Sequence, residues 1–97
     1  MRIISGKAKG VQLSALSSKK TRPILDRAKE SMFGILESYL LDGVVLDLFA
    51  GTGSLGIEAL SRGAKRCLFV ENSTNAIKVI KKNLQNANLL KRTVVLK

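Results

Sequence analysis

The most constraining feature of this 97-residue chain is a hexad, Gly51-Thr52-Gly53-Ser54-Leu55-Gly56, set between an apolar run and a helical pattern. Val44 to Leu48 (VVLDL) is β-branched and apolar, the composition of a buried strand. Leu55 to Arg62 has helical spacing and is closed by Gly63, a residue suited to the position after a helix terminus. Glycines without Cβ atoms let a strand turn sharply into a helix and let a ligand touch the backbone. G-x-G-x-x-G in this setting therefore points to a nucleotide site.

Such a loop needs a parallel sheet around it, and the following residues supply one. Cys67 to Val70 (CLFV) predicts a second buried strand ending at Glu71. Ser73 or Thr74 caps a third helix with Ala76, Ile77, Ile80 and Leu84 on one face. Thr93 to Leu96 (TVVL) opens a third strand. Strand, helix, strand, helix, strand is a βαβαβ half of a doubly wound α/β sheet. Before it, residues 2–13 form two short β-prone runs around Gly6 and Gly10, a hairpin or extended arm, and residues 14–20 read as a loop. Pro23 turns Arg22 away from helix, and Asp26 favours a helix start. That helix carries Ala28, Met32, Leu36 and Tyr39 at helical spacing, with Phe33 and Leu40 alongside, and ends near Leu41. Cys67, Phe49 and Phe69 read as core residues; Lys78, Lys81 and Lys82 read as a solvated face.

Composition excludes several classes. One cysteine forms no internal disulfide, and without histidine there is no Cys/His zinc site. No apolar run approaches the ~18–20 residues of a membrane span, and MRIISGKAKG lacks the apolar segment of a secretory signal. The expected setting is soluble and cytoplasmic, with no membrane partner. Lys and Arg number 17 against 7 Asp and Glu, a net +10. The excess sits at the two ends. Residues 1–20 hold five basic groups (Arg2, Lys7, Lys9, Lys19, Lys20) and no acid. Such a segment attracts polyanions, and nucleic acid is the favoured partner for it.

The bound nucleotide is the next question. Asp47 lies inside the strand end, four residues before Gly51. An acid there repels a pyrophosphate but suits a cationic ligand such as S-adenosylmethionine, which carries a sulfonium and an α-amino group and no phosphate. Glu71, twenty residues after Gly51, is placed to accept hydrogen bonds from both hydroxyls of a ribose.

VLDLFAGTGSLGIEALSRGA, from Val45 to Ala64, resembles the first motif of the class I methyltransferases, and FVEN, from Phe69 to Asn72, their second, acidic motif. RIISGKAKG and TRPILDRAKESMFGIL, from Thr21 to Leu36, closely resemble the 16S ribosomal RNA guanine-N2 methyltransferases of the RsmD type. Ile24 departs from that pattern, in which Thr commonly follows the Pro. The resemblance implies a Rossmann-like class I methyltransferase half with a parallel three-stranded core, its strand order beginning 3-2-1, preceded by an N-terminal hairpin or basic arm (residues 1–20) and a helix. It implies S-adenosylmethionine as cofactor, held by Asp47, Phe49, Gly51, Thr52, Gly53, Glu71 and Asn72. It implies 16S rRNA or the small ribosomal subunit as partner, contacted by Arg2, Lys7, Lys9, Lys19, Lys20 and Arg22. None of these residues is expected to be catalytic. The family's Asn/Asp-Pro-Pro-Tyr/Phe motif is absent, since the one proline is followed by Ile24. Residues 21–97 therefore read as the N-terminal part of the enzyme domain, inactive alone, with Val44 to Leu48 an open edge prone to self-association. The rival readings are a basic nucleic-acid-binding module and an NAD-binding Rossmann half.

Overall fold

Alternation along the strands decides how this chain is layered. The computed structural model describes residues 2–15, 26–48 and 50–97. It contains α1 (Asp26–Leu40), β1 (Val44–Leu48), α2 (Ser54–Ser61), β2 (Arg66–Val70), α3 (Thr74–Asn86), a 3-10 turn (Leu90–Arg92) and β3 (Thr93–Leu96). The three strands are parallel in the order β1-β2-β3, so β2 is central and β1 is an edge, as the expected 3-2-1 order requires. Val45 pairs with Cys67 and Asp47 with Phe69, and these residues face the helices. Both crossovers advance in one direction along the sheet. Right-handed connections then place α2 and α3 on the same face.

The other face carries Val44, Leu46, Leu48, Val94 and Leu96, and all five are exposed. The expectation that VVLDL is buried throughout is therefore corrected. Every second residue of β1 points away from the helices, and no described element covers that side.

The core joins Ile57 and Leu60 of α2, Ile80 and Leu84 of α3, Phe69 of β2, and Leu89. Ile3, Ala8 and Leu13 enter the same cluster from residues 2–15. Those residues form no regular hairpin. One antiparallel bridge, Arg2 to Gln12, closes a series of turns. The arm lies against α2 instead of projecting: the Ser61 hydroxyl donates to the Ser5 carbonyl at 2.7 Å and accepts from the Ala8 N–H at 3.0 Å. A Cβ on Gly6 would lie 1.9 Å from the Ser61 carbonyl oxygen, so only glycine permits this approach.

The rotation of α1 also differs from expectation. Ala28, Leu36 and Tyr39 are exposed, while Lys29 and Phe33 are buried. Lys29 lies 3.3 Å from the Glu58 carboxylate on α2, and Phe33 lies under the Arg62 guanidinium, 5.1 Å from ring centre to Cζ. These polar and cation–π contacts, together with burial of Phe33, orient the helix: Met32 and Leu40 stay packed against the core, while Ala28, Leu36 and Tyr39 of the expected stripe turn outward.

Candidate functional site

The carboxyl ends of β1 and β2 bring the glycine loop and Glu71 together. Ala50 donates its N–H to the Val70 carbonyl at 3.0 Å, which ties the start of the loop to the end of β2. Gly51 (φ +60°) and Gly53 (φ +82°) both occupy the left-handed region, where other residues are strained. Gly53 is the N-cap of α2, and a Cβ there would press on Ile80 and Ile57 at 3.2–3.3 Å. Gly56 has a different duty: its absent Cβ would stand 2.3 Å from Phe69 Cε1 and 2.7 Å from Cys67 Sγ. It lets α2 lie close on the sheet.

Glu71 spans the loop. One carboxylate oxygen accepts the Gly51 N–H at 2.8 Å and the other accepts the Ser73 N–H at 2.8 Å. A carboxylate has about four lone-pair positions, so two remain for hydroxyls of a ligand. Ser73 in turn caps α3, accepting from the Ala76 N–H at 3.2 Å. Asn72 is exposed beside it.

Asp47 is buried, and its Oδ2 accepts the Gly56 N–H at 3.2 Å. It thus caps α2, whose own N-cap residue offers no side chain. Burial raises its pKa above the usual carboxylate range, the Gly56 N–H draws it back down, and the charge of Glu71 raises it further. The same surroundings push the buried Cys67 thiol up to about 12, through desolvation first and the nearby Asp47 second. Such a thiol is protonated at neutral pH and inert as a nucleophile.

Three residues that the sequence reading passed over organise these elements. Asn83 on α3 is fully buried: it donates to the Thr52 carbonyl at 3.0 Å and exchanges bonds with the Ser14 backbone at 2.7 and 3.1 Å. It joins the loop, α3 and the end of the arm. Glu58 accepts from the Ile4 and Ser5 N–H groups at 2.9 and 3.1 Å and from Arg62 Nε at 2.8 Å. Lys29, also fully buried, donates to the Arg2 carbonyl at 2.8 Å and to Ser54 Oγ, at the start of α2, at 2.9 Å. The available signal was polar side chains at core spacing: Asn83 beside Leu84, and Glu58 between Ile57 and Ala59.

Of the residues expected at the cofactor site, Asp47, Gly51, Thr52, Gly53, Glu71 and Asn72 converge here, and Phe49 lies outside the described residues. Of the expected RNA-contacting set, three residues are described. Lys7 and Lys9 are exposed on the turns packed at the far end of α2, Arg2 is exposed near α1, and Lys19, Lys20 and Arg22 lie outside the described residues. Among the described residues no cluster of His, Cys, Asp or Glu could hold a metal ion, and no helix is long and apolar enough to cross a membrane.

A family model described as Conserved hypothetical protein 95 matches residues 1–97. The chain belongs to this family. Over 85 residues it is 47% identical to the Ribosomal RNA small subunit methyltransferase D of Haemophilus influenzae, covering 88% of this chain and 44% of that protein. A solved Escherichia coli structure described as a candidate methyltransferase superposes with TM-score 0.87 at 34% identity, over 99% of this chain and 51% of the other. An RNA methyltransferase from Salinibacter ruber, solved with S-adenosyl-L-homocysteine, shares the fold with TM-score 0.67 at 19% identity, over 78% and 48% of the two chains. The chain thus has a class I methyltransferase fold and spans about half the length of the curated relatives it matches.

Proposed function

We propose that this chain is the cofactor-binding part of an enzyme that transfers a methyl group from S-adenosylmethionine to a guanine N2 of 16S ribosomal RNA. The observation that carries the cofactor choice is the Asp47–Gly56 bond. A dinucleotide fold sets a pyrophosphate against the first backbone N–H groups of the helix after the glycine loop. Here a carboxylate already occupies that position and repels a second anion. The NAD reading loses its anchor.

The residues fit S-adenosylmethionine instead. Asp47 and Glu71 feel each other's charge, and the electronegative pocket they form favours a sulfonium and an ammonium. Glu71 has free acceptor positions for a ribose, and Gly51 and Gly53 keep the loop backbone open to the cofactor's methionine end. When bound, the cofactor supplies an electrophilic methyl on sulfur. This chain's own contribution is to orient that group and to hold the loop rigid through Asn83 and Glu71, so proximity and orientation dominate the rate enhancement. The guanine target rests on the sequence resemblance alone; the small-subunit rRNA substrate is also supported by the names of curated relatives such as the Ribosomal RNA small subunit methyltransferase D of Haemophilus influenzae and of Escherichia coli. The rival reading, a basic RNA-binding module without activity, leaves the buried acid and the glycine loop unexplained.

The test is incubation of the intact protein that contains this chain with methyl-labelled S-adenosylmethionine and unmodified 16S rRNA or small subunits, followed by nucleoside analysis. Label in N2-methylguanosine is the expected result. Cofactor binding without transfer to RNA would reject the substrate, and absence of cofactor binding would reject the whole reading.

A further inference from the structure

The amino ends of the strands, opposite the glycine loop, carry a feature that the cofactor site does not use. A cavity of about 500 Å³ is lined there by Lys7, Lys65, Arg66, Lys91 and Arg92, with Asp42 as its one acid. The cations come from three separate segments: the arm (Lys7), the junction of the turn after α2 with β2 (Lys65 and Arg66), and the 3-10 turn before β3 (Lys91 and Arg92). Arg92 fixes their relative positions, since its guanidinium donates to the carbonyls of Ala64 and Lys65. Lys7, Lys65, Arg66 and Lys91 have no ion-pair or side-chain hydrogen-bond partner among the described residues.

Two sources of negative charge lie nearby and neither is sufficient. The carboxyl terminus of α2 contributes about half a charge, and Asp42 contributes one. Five cations against these leave an excess of roughly three to four charges in a concave site. A lysine-rich face that serves only solubility has no need to converge from three segments into a cleft. The lining has no aromatic side chain, so base stacking is not what it offers. It fits phosphates, which set the position of a nucleic acid and do not read its sequence.

We propose that this cleft grips the phosphodiester backbone of the RNA substrate away from the modified nucleotide. The proposal rests on the RNA methyltransferase reading above and extends it to residues on the opposite end of the sheet. Strands of five residues place the cleft about 16 Å from the cofactor loop, so an RNA held at both ends is oriented along the sheet edge.

The test is a variant of the intact protein with Lys65→Gln, Arg66→Gln and Lys91→Gln together, leaving Arg92 in place. Its binding to a fluorescein-labelled 20-nucleotide RNA is followed by anisotropy from low to moderate salt. At ~0.7 per lost phosphate contact, the slope of log affinity against log salt should flatten by about two, while S-adenosylmethionine affinity and the melting temperature stay unchanged. Lys91→Glu alone should reproduce the direction. A slope within 0.7 of the parent's overturns the proposal. So does a matching loss of cofactor affinity, which would reveal a structural role. Competition of polyglutamate for the cleft with an unchanged RNA slope would assign it to an acidic protein and also reject the proposal. If an arm variant that spares the cleft, Lys9→Ala/Lys19→Ala/Lys20→Ala, loses RNA affinity while the triple variant does not, only the cleft fails. A parent protein with no affinity for RNA sinks the substrate reading itself.

Discussion

Glu58→Gln removes one charge from the centre of the contact between arm, α1 and α2. The carboxylate is fully buried, accepts hydrogen bonds from the N–H groups of Ile4 and Ser5 and from Arg62 Nε, and pairs with the Lys29 ammonium at 3.3 Å. Glutamine offers one acceptor oxygen and an NH2 where glutamate offers two acceptors, so at least one donor meets another donor. Lys29 also keeps its charge at zero exposure with no carboxylate to balance it. Removing one member of a buried pair costs about 3–5 kcal/mol. For a domain of this size each kcal/mol moves the melting temperature by roughly 4–8 °C, so the expected fall is roughly 12–40 °C. Against a typical total stability of about 5–15 kcal/mol, that is a large share.

The reverse change is milder. Lys29→Met leaves Glu58 with Arg62 and both amides, and loses two hydrogen bonds of the ammonium, a cost of about 1–3 kcal/mol. The double variant Lys29→Met/Glu58→Leu removes both charges and should recover part of the single Glu58 loss, because apolar replacement of a buried pair is often neutral. Recovery stays incomplete, since the Ile4 and Ser5 N–H groups still lack acceptors. Urea titration and thermal melting of the four proteins give the order directly. Amide exchange at Ile4 and Ser5 reports the local part, with acceleration of roughly 5- to 150-fold for about 1–3 kcal/mol. A Glu58→Gln loss under ~1 kcal/mol, or a Lys29→Met loss exceeding it, would refute the reasoning.

Glu71→Ala should weaken S-adenosylmethionine binding by roughly 10- to 150-fold by calorimetry, the equivalent of about 1.5–3 kcal/mol for bonds to a charged acceptor; unchanged affinity would remove Glu71 from the site. Asp47→Asn should leave or raise the melting temperature at pH 7. The pKa of Asp47 is raised in the fold, so ionisation destabilises the native state as pH climbs through and above ~3.8, and any gain should vanish below that value; cofactor affinity should fall even so. Replacing Lys7, Lys9, Lys19 and Lys20 by Ala should flatten the salt slope of RNA binding by a few units at ~0.7–0.9 per lost contact, and an unflattened slope would make these lysines solvating only. The 97-residue chain alone should self-associate or melt gradually, because β1 is an unpaired edge bordering an exposed apolar face; a sedimentation profile of a tight monomer with a sharp melt well above ~60 °C would contradict that.

Much of the local structure was written in short-range patterns. The periods of VVLDL, CLFV and TVVL mark three strands that appear within a residue of their expected bounds, because strand and helix propensities and the stops at Gly43 and Gly63 are properties of neighbouring residues. A cap for α3 at Ser73 or Thr74, of which the fold uses Ser73, and a sharp glycine turn after β1 were legible for the same reason. The meeting of Gly51 with Glu71 was foreseeable too: a parallel βαβ unit puts the ends of adjacent strands side by side.

Long-range packing decided the rest. Which face of α1 is buried depends on Glu58 and Arg62, some 29 residues beyond Lys29 and Phe33, and no hydrophobic period contains that information. Asp47 reads as a ligand for a cation, yet only the approach of α2 to the sheet shows that it also caps the helix. Asn83 looks like any amide on a helix until the arm and the glycine loop close on either side of it. The basic cleft forms from residues 7, 65, 66, 91 and 92, which are scattered in sequence and share a surface only once the strands align. A period records which residues want to be buried. What they are buried against is settled by contacts between segments, and there the polar groups find partners that no local pattern announces.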